Sequence, residues 1–133
     1  MDQLKPGLRG VAELVVGPKH TATAFGSGAI GVFATPMMAA LMEKAAVAAV
    51  EHLLPEGMNS LGVQLDISHL AATPIGMKVT ATAELIAVDK RRLEFSVRAR
   101  DEKELIGDGR HIRIAVNAAN FEARVAEKSA PDE

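Results

Sequence analysis

The segment from Thr35 to Leu54 predicts one long helix that has almost no polar face. It begins with Thr-Pro, a typical helix start, and a proline and a glycine that follow its last residue stop it. Between positions 36 and 50 the only charged residues are Glu43 and Lys44. A helix that is apolar on nearly every side is normally buried by its neighbours. The rest of the chain must therefore supply elements that wrap around it.

The segments around this helix favour β-strands, most of them through alternating apolar and polar residues. Residues 11–16 are rich in β-branched side chains and predict a strand before the helix. Four more strands are expected after the helix, with a hairpin turn at Asp89-Lys90-Arg91. Their inner faces are predicted to be Val63, Leu65, Ile67, His69 and Ala71; Val79, Ala81, Ala83, Leu85 and Ala87; Leu93, Phe95, Val97 and Ala99; and part of 105–116, with a bulge at 107–109.

The remaining segments predict smaller features. A short extended piece is expected over 21–24, and the three glycines of 25–31 favour a loop that can act as a flexible flap. Residues 119–127 predict a short terminal helix, and 128–133 predict a frayed tail. The length suits one domain spanning 1–133.

The predicted elements fit together as an α+β hotdog fold, an antiparallel β-sheet wrapped around one long central helix. An antiparallel sheet needs a cover for its apolar face, and an all-apolar helix needs a sheet around it. One sheet and one helix form a thin core for 133 residues. We therefore expect a homodimer that buries more of both, and a dimer of dimers is left open.

Composition and charge exclude several classes of function. A formal net charge of −2, no Trp or Tyr and only four Phe argue against a nucleic-acid partner. The absence of cysteine excludes disulfides and thiolate chemistry, and His20, His52 and His111 form no spaced metal motif. We therefore expect no metal and no cofactor. Neither a signal peptide nor an apolar stretch long enough for a membrane span is present, so no membrane partner and a cytoplasmic location are expected.

Glu43 is a candidate for chemistry because it lies in the middle of the apolar helix. An unpaired carboxylate there would cost several kcal/mol through desolvation, so it needs a compensating partner. The alternatives are a surface glutamate beside Lys44 and a buried structural ion pair.

His69 shares the apolar face of its predicted strand, which should look towards the helix and allow a contact with Glu43. A histidine near a carboxylate is suited to general base catalysis, because the carboxylate fixes the tautomer and raises the basicity. The alternative is a core histidine whose ring nitrogens bind backbone or hydroxyl groups.

Thr35 is a third candidate, although threonine before proline is most often only a helix cap. Eight residues separate Thr35 from Glu43, which places them about 12 Å apart along a regular helix. If both act, they must act through His69, through substrate or water, or across a dimer interface.

Several motifs together resemble the fluoroacetyl-CoA-thioesterase-like family of hotdog-fold thioesterases. The resemblance runs from about Val11 to Val125 and includes the family's catalytic spacing, eight residues from Thr to Glu and 26 from Glu to His. The matching segments are Val-Phe-Ala-Thr at 32–35, Leu-Met-Glu at 41–43, Ser-Leu-Gly at 60–62, His69 with Ala-Ala-Thr-Pro at 71–74, and Arg91-Arg92-Leu93.

The resemblance implies a homodimeric, metal-free thioesterase in which Thr35, Glu43 and His69 are catalytic. Supported by Glu43, His69 would activate water or the Thr35 hydroxyl for attack on the carbonyl of an acyl-CoA. Gly62 would bind the thioester through its backbone, and the resulting oxyanion would contact N–H groups there or at the helix start. Phe33 and Ala29 are the other residues that the resemblance places at the substrate.

The chain departs from the family before the threonine. Its Gly-Ser-Gly-Ala-Ile-Gly stretch is shorter than the corresponding segment of the fluoroacetyl-specific enzyme, and Ala29 replaces an aromatic gate residue. We expect a small acyl group as substrate, without selectivity for its fluorinated form. The alternatives are a non-catalytic hotdog protein that binds acyl-CoA or another small ligand, and an enoyl-thioester hydratase.

Overall fold

The computed structural model describes residues 1–132. Its elements follow in the order β1 (Arg9–Val15), α1 (Ala22–Phe25), α2 (Thr35–Val50), β2 (Met58–His69), β3 (Lys78–Asp89), β4 (Arg92–Arg100), β5 (Leu105–Asn117) and α3 (Ala118–Glu127). Short 3-10 turns at Pro18–His20 and Glu51–Leu53 precede α1 and follow α2.

The five strands form one antiparallel sheet in the order β1-β3-β4-β5-β2. The sheet curls around α2, which packs mainly against β1 and β3. The core between them contains fully buried side chains from the helix and from the inner faces of the strands, among them Met38, Met42, Leu85, Phe95 and Val97. This arrangement confirms the predicted hotdog fold and leaves β2 as an edge strand.

The helix α2 begins one residue earlier than its threonine cap would require. Ala34 is the N-cap, Thr35 is the first helical residue, and no side chain caps the helix start. The interpretation of Thr35 as only a cap is therefore wrong, and its hydroxyl is available for other contacts. A 3-10 turn extends the helical segment to Leu53, close to the predicted end.

The prediction of an extended piece over 21–24 is also wrong, because the helix α1 occupies this segment. The Thr21 hydroxyl accepts a hydrogen bond from the Ala24 N–H, and Gly26 ends the helix in the left-handed conformation. Local capping outweighs the β-propensity of two threonines here. Residues 26–32 form neither helix nor strand, as predicted for a loop, and the mobility of this loop stays a prediction.

A bulge in β2 changes which residues face the helix. Gly62 pairs with Arg113 and Gln64 with Ile112, so that Val63 is the extra residue. Its side chain is 59% exposed, and its predicted place on the inner face is wrong. The bulge reverses the alternation, so that inward positions are even-numbered before it and odd-numbered after it.

Two other bulges alter the predicted registers. One at Ile86 lies between the pairs of Leu85 and Ala87, so Ala87 is exposed and not on the inner face as predicted. The other lies at Ile106 in β5, just before the predicted bulge at 107–109. Sequence patterns mark such sites poorly, because one extra residue reverses every later side chain.

The C-terminal helix lies where the sequence predicts it. The helix α3 is capped by the Asn117 side chain, which accepts a hydrogen bond from the Asn120 N–H. Turn hydrogen bonds continue through Ala130. The last residue of the predicted tail, Glu133, lies outside the described residues. In residues 1–132 the structure contains no helix of the length and apolarity that crossing a membrane requires.

Candidate active site

The structure brings Thr35 and His69 into direct contact. Thr35 is at the N-terminus of α2, and His69 is the last residue of β2. The Thr35 Oγ1 lies 2.6 Å from the His69 Nδ1, a hydrogen-bond distance. A hydroxyl and an imidazole in this relation match the geometry of a nucleophile or water-binding group next to its general base.

Both side chains line an open cleft of about 300 Å³. Phe33 is buried at its wall, and its contact with substrate stays a prediction, whereas Ala29 is not among the lining residues. The other lining residues are Ala22, Ser27, Val32, Leu70, Ala71 and Ala72. Ser27 belongs to the glycine-rich loop, so this loop borders the cleft through a different residue from the predicted one.

Partial burial shifts the pKa of His69. Desolvation lowers the pKa of the His69 imidazole, and a backbone interaction with Ala71 raises it in part. The Nε2 atom is buried and has no hydrogen-bonding partner of good geometry among the described residues. A neutral imidazole at neutral pH is the form that accepts a proton, so these surroundings favour a general base.

Glu43 occupies a different place from the predicted one. Within one protomer its carboxylate does not pair with His69; Oε2 lies 3.7 Å from the Arg113 Nη1. The side chain is 44% exposed, so it is not the buried carboxylate expected in an apolar helix. It lies against Gly62, where an added Cβ would come within 2.6 Å of Oε2. The glycine therefore leaves room for the carboxylate beside the β2 backbone.

Arg113 belongs to a polar network on the inner side of β5 that the sequence analysis missed. Its side chain is only 8% exposed, and the network also includes Ser60, Glu51 and His111. A signal was present in the sequence: His111 and Arg113 alternate in step with Ala115, which is buried. Charged residues on an inward face require partners, and that requirement predicts a network.

The described residues hold no group of three or more histidine, aspartate or glutamate side chains suited to a metal ion. The side chains that the structure does bring together form two sets, Thr35 with His69 and Glu43 with Gly62. Each set joins a residue of α2 to a residue of the edge strand β2.

Comparison with solved structures defines the class of protein. A hot-dog-like protein from Thermanaerovibrio acidaminovorans is 26% identical, with a TM-score of 0.89 and coverage of 98% of this chain and 97% of that chain. A thioesterase superfamily member from Thermus thermophilus is 30% identical, with a TM-score of 0.90 and coverage of 97% and 96%. Together with the hydroxyl–imidazole pair, these matches define a hotdog thioesterase.

Closer matches define the family. The model of the fluoroacetyl-CoA-specific thioesterase family matches residues 16–119. A fluoroacetyl-CoA thioesterase from Streptantibioticus cattleyicolor is 45% identical over 98 residues, which are 74% of this chain and 70% of that protein. A structure of the fluoroacetyl-CoA thioesterase FlK is 38% identical, with a TM-score of 0.90 and coverage of 98% and 100%. The chain belongs to this family, and it is an acyl-CoA thioesterase.

Proposed function

We propose that this thioesterase hydrolyses a small acyl-CoA at the Thr35–His69 pair. The observation that carries the proposal is the 2.6 Å contact between the Thr35 hydroxyl and the His69 imidazole inside the cleft. Neutral His69 accepts a proton from the attacking oxygen, which belongs to Thr35 or to water. The new C–O bond displaces the CoA sulfur, and the imidazolium returns its proton to that thiolate. Attack by Thr35 leaves an acyl-threonine that water then hydrolyses.

The substrate that we propose is small and need not be fluorinated. Fluoroacetyl-CoA is the substrate named for the relatives. In this chain the buried Phe33 and Ser27 of the glycine-rich loop line the cleft, whereas Ala29, which stands in place of the aromatic gate residue, does not. These features favour a cleft that accepts short acyl groups of similar size. They do not favour a cleft that distinguishes substrates by a single substituent such as fluorine. We also propose that the chain acts as one domain in the cytoplasm.

A homodimer would complete this site. β2 is an edge strand, and its Leu61 and Val63 side chains are exposed. Such an edge pairs readily with another chain. Antiparallel pairing of β2 with the β2 of a second copy about a two-fold axis would place Gly62 of one protomer beside the C-terminal half of the partner strand, the half that ends at His69. The partner would then supply the carboxylate that a single helix keeps about 12 Å from Thr35.

The first experiment measures CoA release from acetyl-, fluoroacetyl-, propionyl-, butyryl- and phenylacetyl-CoA, with a Glu43→Ala variant alongside. We expect the two- to four-carbon substrates to be hydrolysed and phenylacetyl-CoA to be the poorest. Glu43→Ala should lose about 10²-fold in kcat, the lower range for a group that assists proton transfer. Comparable turnover of the whole panel would contradict a small pocket, and full activity of Glu43→Ala would contradict its role.

The shared site predicts complementation between two inactive variants. A heterodimer of Glu43→Ala and His69→Ala protomers, co-expressed with different tags and purified by both, regains one intact site of two. It should therefore show about half the activity of the wild-type dimer. The matched control is a heterodimer of Thr35→Ala and His69→Ala, whose sites both stay defective. Equal, low activity in the two heterodimers would place Glu43 in the site of its own protomer.

A further inference from the structure

We propose that Thr73 and Asp101 are positioning residues for the thioesterase reaction, which hold His69 and Thr35 at reacting distance. Thr73 lies in residues 70–77, the segment that connects β2 to β3, and the proposed chemistry gives it no role. The inference rests on the proposed function, in which the Thr35–His69 pair reacts with the acyl-CoA.

The backbone of Thr73 connects the two reacting residues. Thr73 follows His69 by four residues, and its carbonyl accepts a hydrogen bond from the Phe33 N–H at 2.9 Å. Phe33 in turn precedes Thr35, the first residue of helix α2, by two residues. The end of β2 and the start of α2 are therefore joined through the Thr73 carbonyl, close to the 2.6 Å contact between their side chains. A shift of Thr73 would move both partners of that contact.

The side chain of Thr73 fixes this carbonyl in place. Thr73 is fully buried, and its Oγ1 donates a hydrogen bond to the Asp101 Oδ2 at 2.8 Å. Asp101 is held in turn, because its Oδ1 accepts from the N–H groups of Lys103 and Glu104 at 2.8 and 2.9 Å, in the turn between β4 and β5. A buried hydroxyl needs a partner, and a bond to a carboxylate is stronger than one between neutral groups. We call the hydrogen bonds that join Phe33, Thr73 and Asp101 the threonine bridge.

The threonine bridge also limits the surroundings of the His69 ring. Burial lowers the pKa of His69, and the backbone of Ala71 raises it in part. Among backbone groups only a carbonyl raises the pKa of an imidazole, because it accepts from a ring N–H. For Nδ1 to accept the proton of the Thr35 hydroxyl, the ring proton must be on Nε2. The Ala71 carbonyl favours this tautomer, at a geometry short of a full hydrogen bond, and it lies only two residues from Thr73.

The test compares Thr73→Val, which removes the hydroxyl at nearly constant shape, with Thr73→Ser, which keeps it. We expect Thr73→Val to lower kcat for acetyl-CoA about tenfold and to change KM less than about threefold, because a small misplacement of reacting groups acts mainly on the transition state. Thr73→Ser should stay within about twofold of the wild type. The matched control is Thr80→Val, which removes a 3.2 Å hydrogen bond to the Glu13 carboxylate outside the cleft and should match the wild type.

A second readout is the tautomer of His69, which the nitrogen chemical shifts of its ring report at neutral pH in protein with isotope-labelled histidine. The signals are assigned by their absence from His69→Ala. We expect the Nε2–H form in the wild type and in Thr73→Ser, and a mixture with the Nδ1–H form in Thr73→Val. A merely structural role of Thr73 would lower stability without changing the tautomer.

A lower kcat that serine restores, together with the mixed tautomer, supports the threonine bridge. An unchanged kcat in Thr73→Val overturns it, and so does a lower kcat that serine does not restore or that leaves the tautomer unchanged. If Thr73→Val fails to fold, Asp101→Asn gives the same test, because the amide keeps an oxygen for the two backbone N–H groups and loses the charge that strengthens the bond to Thr73. There we expect about a fivefold loss in kcat, and an unchanged value overturns the inference.

Failure of the threonine bridge is distinguishable from failure of the proposed function. If Thr35→Ala and His69→Ala lose activity while Thr73→Val and Asp101→Asn keep it, only the positioning role is wrong. If Thr35→Ala and His69→Ala both keep full activity, the proposed site is wrong and the threonine bridge has no reaction to support.

Discussion

His69→Ala is expected to lower kcat by about 10²–10⁴-fold, the contribution of a positioned general base. The imidazole lies 2.6 Å from the Thr35 hydroxyl, and burial lowers its pKa, which favours the neutral form at neutral pH. Alanine removes the proton acceptor and leaves the rest of the cleft in place, so acyl-CoA should still bind. Because the chain contains no cysteine, a chromogenic disulfide added to the assay reacts only with released CoA.

The pH profile provides a second readout of the same residue. Only neutral His69 accepts a proton, and burial lowers its pKa. The acid limb of kcat/KM should therefore have its midpoint below the ordinary histidine value of about 6.5, with activity falling as the pH falls through it. The residual activity of His69→Ala should lack this limb. The control is His52→Ala, at an exposed histidine in the turn after α2. A midpoint at or above 6.5 would contradict a buried base.

The sequence predicts most of the fold because the strongest signals are local and periodic. The apolar helix and the strict alternation of Leu93 to Ala99 depend on neighbours in sequence, and both appear in the structure as expected. The helix α1 and the bulges at Val63 and Ile86 could not be predicted in this way, and glycines marked the third bulge only approximately. A bulge is decided by pairing with a distant strand, and one extra residue at Val63 is invisible in the pattern of β2 alone.

The site was predictable to a similar extent. Alternation made His69 a candidate on the inner face and the helix start made Thr35 another, but their catalytic roles came from the family resemblance. The contact expected for His69 was with Glu43, whereas the structure places its ring 2.6 Å from the Thr35 hydroxyl. Local pattern could not identify Arg113 as the partner of Glu43, because Arg113 is 70 residues further along the chain. In the sequence, β5 appeared only as a strand with scattered charged residues. Only the pairing of β5 with β2 brings Arg113 beside Gly62.

The second large effect is expected at Gly10, where β1 approaches α2 most closely. A Cβ added at Gly10 would overlap the Ala45 carbonyl oxygen and the Ala49 amide nitrogen. Both are backbone atoms of the helix, so no side-chain rotation can relieve the overlap. Gly10→Ala should lower the free energy of unfolding by about 3 kcal/mol, the upper range for overpacking in a core. For a chain of this size that corresponds to a Tm lower by about 10 °C.

Thermal unfolding followed by circular dichroism checks this expectation, with Gly31→Ala as the matched control because no atom lies within 4 Å of a Cβ at that position. The change at Gly10 should also reduce activity below the Tm. The helix that must move away from β1 carries Thr35 and Glu43, and its displacement alters their distances from His69 and Gly62. A Tm loss no larger than that of Gly31→Ala would mean that sheet and helix separate at little cost. The close packing of β1 on α2 would then not be what positions Thr35 and Glu43 relative to His69 and Gly62.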